Sequence, residues 1–166
     1  GNITRSVGDL EGAISAYRHA LSLDHDFAAV RFDLARLLMR KSAWEDAERE
    51  LLLALDTVPT YAEATMELAG LRRLTRRPRE AVALLVELLQ RDPYNFDALI
   101  ALGETLLTMG RTVDADRAFT RVHRFDRTHT GAIFYHGVLA AGDKRYREAI
   151  ASWQRVIALE PAGEFA

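Results

Sequence analysis

LGETLLTMGRTVDADRAF, residues 102–119, is the stretch whose reading settles how the chain folds. It carries a leucine–small-residue pair at Leu102 and Gly103, then a short polar turn, MGRT. An alanine follows at Ala115, with a large aromatic four residues further on at Phe119. Stepping 34 residues in either direction finds the same chemistry. One column is Ala13, Ala47, Ala81, Ala115 and Ala149; another is Ala35, Ala69, Gly103 and Gly137. Tyr17, Leu51, Leu85, Phe119 and Trp153 form a third column, and Leu34, Leu68, Leu102 and His136 a fourth. His25, Pro59, Pro93, Arg127 and Pro161 form a fifth in the same phase. A strict period of this length marks a repeat architecture.

Each period holds two helical patterns. AAVRFDLARLLMR and AWEDAERELLLALDTV space their apolar residues at i, i+3, i+4 and i+7. A polar corner such as RKSA joins the two, and a turn such as TVPTY or RDPYN closes the unit. Proline in that second turn ends the helix and restricts the residue before it. The small columns let helix axes approach closely, and the large column fills the space between neighbouring pairs. One pair cannot bury its apolar face alone, so stability is expected from stacking. No alternating strand pattern competes. The expected structure is a stack of antiparallel helix pairs.

These features resemble the tetratricopeptide repeat family. Beside residues 102–119, GDLEGAISAYRHALSLD (8–24) and KRYREAIASWQRVIALEP (144–161) match the second half of its unit. The pattern departs at His25 and Arg127, where proline is usual, and at Pro78, where a large residue is usual. The resemblance implies an all-α, right-handed superhelical solenoid. The expected layout is a partial repeat over 1–27, mainly its second helix, then repeats at 28–61, 62–95, 96–129 and 130–163. Residues 164–166 would start a further helix. The register opens inside a unit and residue 1 is not methionine, so the chain is expected to continue on at least one side.

Composition narrows function. The chain has 166 residues, no cysteine and a formal net charge of −2. Disulfides, thiolate metal sites and cysteine nucleophiles are excluded, and the charge suits polyanion binding poorly. No apolar run is long enough for a membrane span. A cytoplasmic location is favoured over a periplasmic one. Arginine outnumbers lysine twenty to two, and the densest cluster is RRLTRRPRE, residues 72–80. In register most of it is an inter-helix corner. Pro78 opens the next helix, where its missing N–H costs nothing, and Arg72 is expected to pack its stem while its head reaches water.

No phosphate-binding, zinc-protease or nucleophile-elbow motif is present, so no enzyme, cofactor or metal is expected. His123, His129 and His136 lie close in sequence. The register puts them on different faces: a second helix, an inter-unit turn and a buried first-helix position. The acidic pairs Glu45/Asp46 and Glu48/Glu50 are read as helix-start or outer-face residues.

In the family, first helices line a concave groove, and the resemblance carries that role to specific positions here. Phe32, Met66, Ile100 and Phe134 would form an apolar strip. Arg36, Met39, Arg40, Arg73, Glu104 and Leu107 would stand beside it. The alternative for the strip is packing between first helices. For Arg36, Arg40 and Arg73, it is pairing with Asp33, Glu63 and Glu67. A carboxylate clamp of lysine and asparagine, used by some family members for chaperone tails, is replaced here by Phe32, Asp33, Arg36, Glu63 and Glu67. The expected partner is a protein or peptide held in the groove, not a nucleic acid. Self-association is the other expectation, because Ile150, Trp153 and Ile157 of the last helix would otherwise stay partly uncovered.

Overall fold

A computed structural model describes residues 2–160, with side chains from residue 10 onward. The described residues form helices and turns with no strand. After α1 (Asn2–Leu23), the helices repeat in strict phase. First helices are α2 (Ala28–Arg40), α4 (Ala62–Leu74), α6 (Phe96–Thr108) and α8 (Thr130–Gly142). Second helices are α3 (Trp44–Thr57), α5 (Pro78–Arg91), α7 (Thr112–Phe125) and α9 (Tyr146–Leu159). The fold class is an all-α helical-repeat solenoid. Expectations for Pro161 and for a helix starting at 164–166 lie outside the described residues.

Local chemistry explains several of the helix starts. Acids occupy the first turn of α3 (Glu45, Asp46) and α7 (Asp114), where the helix dipole favours them. Pro78 stands at the first position of α5. Asn95 caps α6 by accepting from the Ala98 N–H at 3.0 Å. His129 caps α8 in the same way, its Nδ1 accepting from the Ala132 N–H at 3.3 Å. That capping gives the inter-unit histidine a structural role.

The corners inside the pairs are built alike. Ser42, Arg76, Gly110 and Lys144 all take positive φ, between 59° and 73°. Each follows the end of a first helix, and the next N–H closes on a carbonyl five residues back, as Arg111 does on Leu106 at 2.9 Å.

The chain divides into two compact units, Gly1–Arg77 and Pro78–Ala166. In the first, α2 packs on both α1 and α3, and α3 packs on α4. Ala47, Leu51 and Ala54 are fully buried along one stripe of α3. In the second unit, α5 to α9 pack in sequence order, each on the next. Leu106, Ala115 and Phe119 form its central cluster. Phe119 also stacks on Tyr135 at 4.7 Å, so the large residue fills space both within its own pair and toward the next.

Two side-chain expectations, for Glu48/Glu50 and for Arg72, are corrected. Over the stretch read as a partial first repeat, α1 is one continuous helix. Its Ala13, Tyr17 and Ala20 are only half-buried, whereas the matching residues of α3 are buried. In α3 that stripe is covered by the pair's own first helix, and no earlier described helix covers α1. Glu48 and Glu50 do not face outward: Glu50 holds Arg31 at 2.7 Å and Glu48 holds Arg72 at 3.3 Å. The Arg72 head is therefore paired with Glu48, not left in water, and its side chain is only 18 % exposed. Arg77 Nη1 reaches the same carboxylate at 3.1 Å, so one acid ties α3 to α4 and the following turn.

Candidate functional site

In the first unit, α2 and α4 present the predicted first-helix positions. Phe32 is half-buried, with its ring tilted against Tyr61 at 5.2 Å. The Arg36 guanidinium lies over that ring, 5.8 Å from its centroid. Its Nε also approaches Glu67 Oε1 at 3.7 Å, so the predicted pairing with the next first helix is present in part. Both contacts are long, and Arg36 remains exposed. Such a pair holds the guanidinium loosely.

Arg36, Met39 and Arg40 share a cleft of about 420 Å³ with Tyr17, Asp33 and Glu67. Among the described residues, no carboxylate pairs with Arg40. Met66 is half-buried and Arg73 exposed, and neither lines this cleft. Sequence reasoning does not single out Tyr61 or Tyr17 for the site. The repeat column makes Tyr17 a packing residue, and it borders the cleft because α1 leaves that face open.

In the second unit, Ile100 and Leu107 of α6 pack partly onto the Leu106–Ala115–Phe119 cluster. Leu107 also lines a cleft of about 470 Å³ with Val138 and Leu139 of α8. Tyr135 Oη donates to Glu104 Oε1 at 2.7 Å, which fixes that carboxylate on α6. Phe134 is half-buried and edge-on to Tyr135 at 5.2 Å, and its carbonyl accepts from Trp153 Nε1 at 3.3 Å. All four residues of the apolar column are thus half-buried. Partial packing leaves part of each ring or aliphatic chain available for contact.

The histidines depart from expectation. His123 and His136 do not occupy separate faces; their rings meet at 5.6 Å, edge to face. His136 Nδ1 lies 3.5 Å from Asp116, while the buried His123 Nδ1 has no hydrogen-bond partner among the described residues. Burial, first, and then His136 and Arg155 hold the His123 pKa below its ordinary value. Sequence spacing could not show this meeting, because it joins the second helix of one pair to the first of the next. Among the described residues no group of three metal-ligating side chains converges, and no helix is long and apolar enough to cross a membrane.

Comparison with known proteins places the fold. A family model described as "Tetratricopeptide repeat" matches residues 5–69 and 74–130. Protein O-mannosyl-transferase Tmtc3 of Drosophila melanogaster is 27% identical over 146 residues, covering 87% of this chain and 16% of that protein. Superkiller complex protein 3 of Homo sapiens is 29% identical over 159 residues, 91% of this chain and 10% of its own length. The chain therefore spans less than a fifth of these relatives. Among solved structures, MamA superposes with a TM-score of 0.78 at 23% identity, covering 97% of this chain and 94% of that one. YrrB, described as "a TPR protein with an unusual peptide-binding site", has a TM-score of 0.70 at 22% identity, covering 99% and 84%. A tetratricopeptide repeat protein from Parabacteroides merdae reaches 0.82 at 18% identity, covering 95% and 62%. At these identities the structural likenesses speak for the fold.

Proposed function

The chain belongs to the tetratricopeptide repeat family, whose fold serves as a scaffold for protein interaction, and on that premise we propose that it holds a partner peptide or helix on its first-helix faces, without catalysis. One observation carries the reading: loosely paired Arg36 sits above half-buried Phe32 and lines the first-unit cleft with Met39 and Arg40. An apolar side chain of a peptide would cover Phe32, and a peptide carboxylate would compete with Glu67 for Arg36. Met39 adapts to irregular apolar surfaces. The second unit adds Ile100, Leu107 and Phe134, with Glu104 held by Tyr135. The peptide-binding site described for YrrB, which has the same fold, supports peptide binding as a use of this architecture.

The test is a displayed random-peptide library panned against the intact chain. Recovered peptides should lose at least about tenfold in affinity for the Phe32→Asp, Ile100→Asp double variant, while circular dichroism stays unchanged. Full retention of binding by a folded double variant overturns the reading.

A second reading is self-association through α9, because Ile150 and Ile157 are 52% and 50% exposed on its outer side. Sedimentation velocity across a concentration series checks it. Assembly should rise with concentration and be lost in Ile150→Glu with Ile157→Glu; a strict monomer throughout overturns it.

A further inference from the structure

The second unit carries another groove, on a different side of α6 from Ile100, Glu104 and Leu107. Its volume is about 510 Å³. The floor is Leu99, Leu102 and Leu106, spaced three and four residues apart on one face of α6. The two walls differ in chemistry. Along α5, Val82 and Val86 stand one helical turn apart, and Val86 is 41% exposed. Along α7, Arg117 and Arg121 stand one turn apart in the same way. An apolar row thus faces a cationic row across an apolar floor.

The charge is not balanced inside the groove. Three guanidiniums line it, Arg111, Arg117 and Arg121, against one carboxylate, Asp114. Asp114 is shared: its Oδ2 accepts from Arg111 Nη2 at 2.7 Å and its Oδ1 from Arg117 Nη1 at 3.2 Å. Among the described residues Arg121 has no carboxylate partner, and the Arg117 side chain is 76% exposed.

We propose that this groove docks an acidic amphipathic helix of a partner protein. Its apolar stripe would lie on Val82, Val86 and Leu102. Carboxylates one turn apart on its flank would meet Arg117 and Arg121 in charge-assisted hydrogen bonds. Polyanionic nucleic acid fits less well, because one wall and the floor are aliphatic and no aromatic side chain lines the groove for base stacking. The groove does not include Phe32, Ile100, Leu107 or Phe134, so this chain would engage two segments at once.

The probe is a fluorescein-labelled synthetic helix with leucine at i, i+3, i+4 and i+7 and glutamate elsewhere, followed by anisotropy on the full chain. Its lysine counterpart and a labelled single-stranded oligonucleotide serve as comparisons. Saturable binding of the glutamate helix, weakened by salt, is expected, with neither comparison binding. Arg117→Glu with Arg121→Glu should reduce affinity by at least about tenfold and admit the lysine helix. Val86→Ser, at an exposed position, should weaken binding without changing the melting temperature. Phe32→Asp alone, which lies in the first unit, should bind the probe normally, so failure here and failure of the peptide reading are told apart. No saturable binding, equal binding of the lysine helix or the oligonucleotide, or insensitivity to the α5 and α7 variants overturns the proposal.

Discussion

The Phe119 ring occupies the space that a side chain at Gly103 would need: a Cβ there would overlap Cε1 and Cζ of the ring. Gly137 stands in the same relation to Trp153, whose Cδ1 lies 2.8 Å from the built Cβ. Sixteen residues separate each pair in sequence, and the equivalent pair in the first complete repeat is Ala35 with Leu51. Where the large residue is aromatic, the small one shrinks to glycine. Gly103→Ala would gain about 1 kcal/mol from helix propensity. Phe119 is fully buried and cannot yield, so overpacking of about 1–3 kcal/mol should outweigh that gain. Thermal melts should show Gly103→Ala destabilised. Adding Phe119→Leu should recover part of the loss, a coupling that independent sites would lack. Gly12→Ala, which meets nothing within 4 Å, should instead stabilise.

The corner residues predict the opposite substitution. Lys144 adopts φ 62°, in the left-handed region that disfavours a Cβ. Its fold role is met by backbone bonds, with Lys144 N–H to Ala141 and Arg145 N–H to Ala140 at 3.0 and 2.8 Å. Lys144→Gly should therefore raise stability by about 0.5–1 kcal/mol, and Gly110→Ala should lower it by a similar amount. Urea midpoints with unchanged slope would check both; a loss in Lys144→Gly would contradict the account.

Much of the fold was legible because the period is strict: Ala47, Ala81, Ala115 and Ala149 are all buried, as their column implies. The first-helix faces were legible as positions, since Phe32, Met66, Ile100 and Phe134 share one step of the repeat. Side-chain partners were not. The Arg72 head was expected in water because its acid, Glu48, is 24 residues away on another helix. His123 and His136 meet across two pairs, at a separation no single-helix periodicity reports. The cationic wall of α7 also went unseen, because Arg117 and Arg121 gain meaning only opposite Val82 and Val86.

Glu48 gives a pH-dependent prediction. Hydrogen bonding from Arg77 leads the causes that hold its carboxyl below the usual value, with Arg72 adding to it and burial opposing. A depressed folded pKa stabilises the fold above the unfolded value, near 4.5, and the stabilisation fades as pH falls through the folded value. Its side chain is only 17% exposed, so Glu48→Gln should cost about 1–2 kcal/mol at neutral pH. Urea unfolding across pH should show wild type and variant converging in acid. A gap independent of pH would rule out the ion pairs as its source.

His123 should make the second unit sensitive to mild acid. Burial is the largest cause lowering its pKa; His136, Arg155 and Arg127 oppose protonation further, and Asp126 favours it. Asp116, beside His136, is the other carboxylate at this contact. The unfolded chain therefore takes the proton more readily, near the ordinary value of 6.5. Stability from this group is complete above that value and declines as pH falls toward the folded pKa, below which the loss is constant. His123→Leu removes both the titration and a buried nitrogen without a partner. Its neutral-pH stability should match wild type or exceed it by up to about 1 kcal/mol. Its melting temperature should fall less than that of wild type between neutral pH and pH of about 5. Parallel pH profiles for the two proteins would show that the acid response arises from other groups.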